Sequence, residues 1–205
     1  MPRKRAYHHG NLREALLNAA LELIAEFGPD GFNLREAARR AGVSHTAPYR
    51  HFRDKGELLS AVAAQGFVEL NEAMRKAAQD QPTPLDALKN AGAAYVAFAL
   101  QRPQHFTAMF DAAMGTSDIP AGEEAFATLV GIVEECQRAG QLPADDSQAR
   151  SLAAWSLVHG IAKLAIAGRF PFHSHKAVLM FAAWAIDGSL HGWTNTPGMS
   201  HLAVQ

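Results

Sequence analysis

Residues 33–55, NLREAARRAGVSHTAPYRHFRDK, set hydroxyls, imidazoles, a phenol and guanidinium groups close together. Ser44, His45, Thr46, Tyr49, Arg50 and His51 crowd the second half of this run, a set of donors and cations suited to contacting nucleic acid. A helix signal precedes them. Asn33 is a good N-cap, and Glu36, three residues on, can close a capping box. Leu34, Ala37, Ala38 and Ala41 share one helical face, while Arg35, Arg39 and Arg40 point elsewhere. Gly42 stands where a left-handed residue ends a helix. Ser44 can cap a second helix over residues 45–51, after which Phe52 returns the chain to a core. Two helices joined by a short turn containing Gly make a helix-turn-helix, whose second helix can lie in the DNA major groove.

Other elements must hold this pair in place. Upstream, Leu12, Leu16, Ala19, Ala20, Leu23, Ile24 and Phe27 recur at helical spacing behind a possible Asn11–Glu14 capping box. That helix stops at Gly28-Pro29-Asp30-Gly31, and its apolar stripe is the natural cover for the pair. Downstream, Asp54 and Glu57 open a helix that turns Leu58, Leu59, Val62, Phe67, Leu70 and Met74 inward. It is expected to run to about residue 79, or about 37 Å, long enough to pass from one bundle into another and couple them. Residues 80–84 read as a linker. Helical patterns follow at 85–100, 104–114, 123–139, 147–167 and 174–193, with no convincing strand. The expected fold is all-α: a three-helix helix-turn-helix domain at 1–56, with an arm at 1–10, then a helical domain at 57–205.

The net charge of -1 hides an asymmetry. Residues 1–60 carry 10 Lys and Arg against 7 Asp and Glu, leaving 9 against 13 for the rest. A basic end on an acidic body suits a polyanion at one end only. Hydrophobic residues at 48% and charged residues at 19% describe an ordinary globular chain. The single Cys136 excludes an internal disulfide and fits a reducing compartment. The start lacks the apolar run of a secretory signal, and His159 and Lys163 interrupt the best candidate for a membrane span. A soluble cytoplasmic protein is therefore expected. An all-helical enzyme or carrier is disfavoured, because no phosphate loop, dinucleotide fingerprint, HExxH or GxSxG occurs. Cys136 sits among Glu134, Glu135 and Arg138, a poor setting for a reactive thiolate. His8-His9 has no Cys or acid at ligand spacing nearby, His173 and His175 read as loop residues rather than metal ligands, and nothing calls for a cofactor.

The stretch GVSHTAPYRHFRDKGELL, behind a helix ending EFGPDGFNLREAARRA, resembles the TetR family of bacterial transcriptional regulators. Gly42, Ser44, Tyr49, His51, Phe52, Lys55, Leu58 and Leu59 all fall at the family's spacing. The resemblance covers about the first third of the chain. It implies an all-helical homodimer with an N-terminal DNA-binding domain and a C-terminal ligand-binding and dimerisation domain. Trp155-Ser-Leu-Val-His159-Gly160 resembles the tryptophan–histidine–glycine helix of one branch of that family. By the resemblance, Tyr49, His51 and Lys55 match phosphate contacts, Lys55 at a helix N-terminus where its charge and the helix dipole both favour an anion. His45, Thr46, Pro48 and Arg50 occupy positions from which base edges or phosphates can be reached. Arg50 is the best placed for a bidentate guanine contact, and the Thr46 methyl and Pro48 ring for a thymine methyl. Asn33 stands where the family often has Thr, and it can cap and donate to a phosphate. Arg3, Lys4 and Arg5 read either as a solvated terminus or as an arm beside the main site. Arg35, Arg39 and Arg40 read as a solvated face, Arg35 being the exception nearest the DNA.

In the body, Phe106, Met109, Phe110, Met114, Phe126, Trp155 and His159 are either plain core or the lining of a ligand cavity. The resemblance favours the cavity, holding a small apolar effector. The helices at 147–167 and 174–193 are apolar on nearly every side, with Lys163 the only charge from Leu152 to Gly168 and Asp187 the only one from Ala177 to Leu190. Such helices must be buried all round, and a homodimer joined through a four-helix bundle would bury them. The function expected is a repressor released from a palindromic operator by a small molecule.

Overall fold

The computed structural model describes residues 12–110, 119–172 and 174–195, the last three through their backbone. Every element among them is helical. These are α1 (Leu12–Phe27), α2 (Leu34–Arg40), a short 3-10 turn (Ala47–Arg50), α3 (Lys55–Ala78), α4 (Pro84–Gln101), α5 (Pro103–Met109), α6 (Pro120–Arg138), α7 (Ser147–Ile166) and α8 (His175–Asn195). None of these helices is long and apolar enough to cross a membrane.

The described residues divide into two compact units. The first comprises 12–65, 104–110 and 119, and the second 66–103, 120–172 and 174–195. The division at 56/57 drawn from sequence thus differs from the packing in two ways. Leu58, Leu59 and Val62 of α3 are buried in the same cluster as Leu16, Leu23, Phe32 and Phe52, so the first unit claims the opening turns of that helix. Ala108 of α5 belongs to that cluster as well, far from it in sequence. No local pattern marks that return.

The helix ends of the first unit follow their sequence signals. Asn33 Oδ1 accepts from the Glu36 amide at 3.0 Å and starts α2. The reciprocal half of the capping box does not form, because the Glu36 carboxylate turns to Arg39, whose Nε lies 3.0 Å from Oε2. At the other end Gly42 takes φ +72°, Val43 N–H donates to Ala38 O at 3.0 Å and Gly42 N–H to Arg39 O at 3.2 Å. That pair of bonds satisfies carbonyls the helix leaves open. No described residue lies within 4 Å of a Cβ added at Gly42, so a substitution there strains the backbone alone. Gly42→Ala is therefore expected to lower the unfolding free energy by about 1–2 kcal/mol, read from urea titration. An unchanged midpoint would mean the turn does not need its left-handed residue.

In the second unit α4 is central, packed against α6, α7 and α8. Thr83 caps it by accepting from the Asp86 amide at 3.1 Å, with Pro84 in the first turn where a missing amide proton costs nothing. Gly92 is the point of closest approach: a Cβ there would lie 3.1 Å from Ile186 Cδ1 and 3.5 Å from Val158 Cγ1. Lys89 and Asp187 form an ion pair between α4 and α8. Arg150 and Asp145 pair at the start of α7, where Gln137 also donates to Asp145 Oδ1 at 3.0 Å.

Candidate nucleic-acid interface and regulatory core

The run that was to be a seven-residue helix is a 3-10 turn of four residues, Ala47–Arg50, begun at Thr46. Pro48 supplies the reason. It has no N–H to give Ser44 O, so Ala47 N–H takes that carbonyl instead at 3.0 Å, a tighter i to i−3 spacing. Ser44 therefore does not cap a helix, and its Oγ lies 3.2 Å from Thr46 Oγ1. Two anchors hold the turn. The Pro48 ring is fully buried and Phe52 is 3% exposed. Burial removes Pro48 from the set that could touch a thymine methyl; its role is to fasten the turn to the unit beneath. Phe52 is core, as its type suggests.

Around these anchors His45, Thr46, Tyr49, Arg50 and His51 are all exposed, with Asn33, Arg35 and Ser44 exposed beside them. Tyr49 keeps 54% of its surface in solvent, a large value for an aromatic with a buried neighbour. The structure brings these expected contact residues onto the surface of one unit. Lys55 stands apart. Its Nζ donates to Pro29 O at 3.3 Å and to Asp30 O at 3.4 Å, and it lies 5.8 Å over the Phe32 ring. In the free protein that ammonium braces the turn after α1.

Arg39 is solvated as read, its side chain 70% exposed, whereas Arg40, read the same way, is tied down. Arg40 holds the Glu26 carboxylate with both Nη atoms, at 2.6 and 2.7 Å, and reaches Glu22 at 3.3 Å. This fork clamps α2 onto α1, and its hydrogen bonds hold the Glu26 carboxyl below the usual range. Arg39 does the same to Glu36. Their glutamate partners are 14 or more residues away for Arg40, beyond any local pattern. Arg3, Lys4 and Arg5 lie outside the described residues.

The expected cavity residues separate into two groups. Phe106, Met109 and Phe110 belong to the first unit, where Phe106 and Phe110 rings are 5.0 Å apart. Met114 lies outside the described residues. Phe126, Trp155 and His159 come together in the second unit, with ring centroids 6.0 Å apart for Phe126–Trp155 and 5.8 Å for Trp155–His159. Tyr95 of α4, which sequence reasoning missed, completes this group. Trp155 Nε1–H donates to Tyr95 Oη at 3.0 Å, and Tyr95 Oη lies 2.9 Å from His159 Nδ1. An indole can only donate, so the phenol accepts from it, while the direction of the bond between the phenol and Nδ1 follows the imidazole tautomer. A half-open groove of about 280 Å³ lies elsewhere in the second unit, lined by Leu100, Pro103, Ile166, Phe170, Phe172 and Val178 among others. None of the expected cavity residues lines it.

Burial, and then the charge of Lys163, press the His159 pKa below its ordinary 6.5. The folded value is below the unfolded one, so the unfolded chain takes up the proton first as pH falls. Stability from this site is present above pH 6.5 and is lost as pH falls through the folded pKa. Melting curves between pH 7.5 and 5 should therefore show a loss that His159→Gln reduces, with ~0.5–1.5 kcal/mol of hydrogen bonding forfeited at neutral pH. A variant with the same pH slope as the wild type would exclude His159 as the source. The Cys136 thiol, fully buried, is pushed up to about 11 by burial and by Glu135, which makes it unreactive.

Two family models match the chain. The family model described as bacterial regulatory proteins of the tetR family matches residues 16–62, and the Tetracyclin repressor-like C-terminal domain matches residues 88–192. A solved protein of unknown function from Rhodococcus sp. RHA1 shares 34% identity, with a TM-score of 0.80 over 94% of this chain and 100% of that one. A tetR-family regulatory protein from Rhodococcus RHA1 is 22% identical, with a TM-score of 0.74 over 90% of this chain and 97% of its own. The regulator FadR from Bacillus subtilis, solved in complex with stearoyl-CoA, superposes with a TM-score of 0.72 at 14% identity over 87% of this chain and 98% of that one. With a family model spanning each part and the whole fold shared, the chain belongs to the TetR family of bacterial transcriptional regulators.

Proposed function

We propose that this regulator is a homodimeric repressor, released from a palindromic operator when a small molecule binds its C-terminal helices. The observation that carries the reading is the solvent-facing set His45, Thr46, Tyr49, Arg50 and His51, mounted on the buried anchors Pro48 and Phe52. In that reading Arg50 reads a base edge, His45 and Thr46 lie near the bases, and Tyr49, His51 and Ser44 hold phosphates. Asn33 and Arg35 touch the flanking backbone, and Arg3, Lys4 and Arg5 reach the neighbouring minor groove. Lys55 would have to leave the 28–31 turn to reach a phosphate, so its contribution is smaller than that of Tyr49.

The dimer would form through α7 and α8. Leu152 and Leu164 on α7 are each 48% exposed, and Met180 and Trp184 on α8 are 65% and 72% exposed. Two recognition turns would then fall in successive major grooves, about 34–36 Å apart. α3 starts three residues after Phe52 and is shared between the two units, so it can carry a change from effector to DNA. The effector must bind the DNA-incompetent state more tightly, or it shifts nothing. The bound acyl-CoA of FadR makes an apolar body a reasonable choice for the effector, near Phe126, Trp155 and His159. The first test is selection of bound duplexes from a random DNA library. A palindromic consensus whose affinity falls steeply with salt supports the reading. Enrichment of a single, non-repeated half-site would sink the dimer, and no enrichment at any salt would sink operator recognition by the free protein.

A further inference from the structure

Asn71 lies on the part of α3 that belongs to the second unit, and only 8% of it is exposed. Its ridge neighbours, one turn to either side, both face α6. The Phe67 ring comes within 3.3 Å of the position a Cβ would take on Gly122, and Arg75 Nε donates to Thr128 Oγ1 at 3.3 Å. Residues four apart share a helix face, so Asn71 stands in the seam between α3 and α6. Its Oδ1 is buried and receives no hydrogen bond from any described residue. Buried carbonyl oxygens almost always have a donor, and one that the protein leaves unsupplied calls for an explanation. Leu70 and Met74 of α3 and Ala125 of α6 are buried as well.

We propose that Asn71 Oδ1 is the acceptor for the effector, which is an apolar molecule bearing an O–H or N–H donor and seated in the α3–α6 seam. The proposal rests on the ligand-responsive reading above and adds the effector's chemistry and its point of attachment. The choice of helix matters. α3 follows directly on the recognition turn, so a hydrogen bond made to it in one of its positions and not in the other is a differential contact, the kind that moves an equilibrium. A donor-free apolar ligand would bury the oxygen without supplying it, and would be rejected for that reason.

The test uses the full chain and two matched probe pairs: 1-naphthol with 1-methoxynaphthalene, and 1-decanol with 1-methoxydecane. In each pair the body is nearly constant and only the donor is removed. Calorimetry on the wild type should show at least one hydroxyl compound binding about tenfold or more tightly than its ether, and Asn71→Leu should erase that preference. Without any probe, Asn71→Leu should melt higher by ~3 °C, because it replaces an unsupplied oxygen with an apolar group. A lower melting temperature means the oxygen is satisfied in the free protein and overturns the proposal. A hydroxyl preference that persists in Asn71→Leu overturns it too, as does a wild type that binds neither member of either pair. The wild-type comparison needs no variant to fold. A library compound that releases operator DNA yet carries no donor defeats this proposal alone, whereas a library in which nothing releases DNA defeats the ligand-responsive reading beneath it.

Discussion

Arg50→Ala should weaken binding to the selected operator by ~1–3 kcal/mol per half-site, about 5- to 160-fold for each, and relax the base preference at one position. The expectation follows from where the side chain stands. Arg50 closes a 3-10 turn whose other residues face either the core, like Pro48, or solvent, like Tyr49. It is exposed, and no ion pair with a described residue has to be broken for it to reach a base. Arg40 makes the contrast: its guanidinium is committed to Glu22 and Glu26, so Arg40→Ala should cost stability and leave base preference alone. Tyr49→Phe gives a third signature. Removing an uncharged hydroxyl should weaken every sequence alike with the salt slope unchanged, since no counterion release is lost. Competition binding against a library of single-base operator variants at several salt concentrations separates these cases. If Arg50→Ala weakened all variants equally and flattened the salt slope, Arg50 would be a phosphate contact and the base reader would lie among His45, Thr46 and the 1–10 arm.

The residues that sequence patterns located well are those whose role is local. Asn33 caps, Gly42 turns, Phe52 points inward and Asp54 accepts from the Glu57 amide at 2.9 Å, each decided within four or five residues of chain. The recognition segment was found but its helix was overdrawn. Pro48 was read as a surface contact, yet its missing amide proton holds the segment to 3-10 geometry, and its burial was not visible from hydropathy. The cavity list divides between the two units for a related reason. Phe106, Met109 and Phe110 have the same helical periodicity as Phe126 and Trp155, and periodicity says that a face is buried without saying in which unit. Tyr95 was missed because its partners lie 60 and 64 residues away, and Asn71 because a polar residue on a long helix has the look of a solvated face.

Trp184→Glu combined with Met180→Glu should convert the proposed dimer into a folded monomer of 22.1 kDa in sedimentation experiments and reduce operator affinity about 10²- to 10⁴-fold. The argument begins with exposure. Met180, Trp184, Gly188 and His191 lie one turn apart along the outer face of α8, and Leu152, Ser156 and Leu164 along that of α7, all open to solvent in the single chain. Among the described residues nothing comes within 4 Å of a Cβ placed on Gly160 or Gly188, so a second backbone could approach closely there. A monomer rarely leaves such a stripe in water. Burying one large apolar side chain contributes about 1.5–3 kcal/mol, and a twofold axis counts each of these residues twice. Two glutamates per protomer replace that gain with the cost of taking carboxylates out of water. The DNA consequence follows because a dimer holds its second half-site at high effective concentration, whereas a monomer must bind each half-site alone. Val68→Glu, on the exposed side of α3, is the matching charge at a site outside this stripe and should leave the mass unchanged. A double variant that still sediments as a dimer would move the interface off α7 and α8. A double variant that is monomeric yet keeps full affinity would mean the two recognition turns do not act together, and the palindromic operator would have to be given up with them.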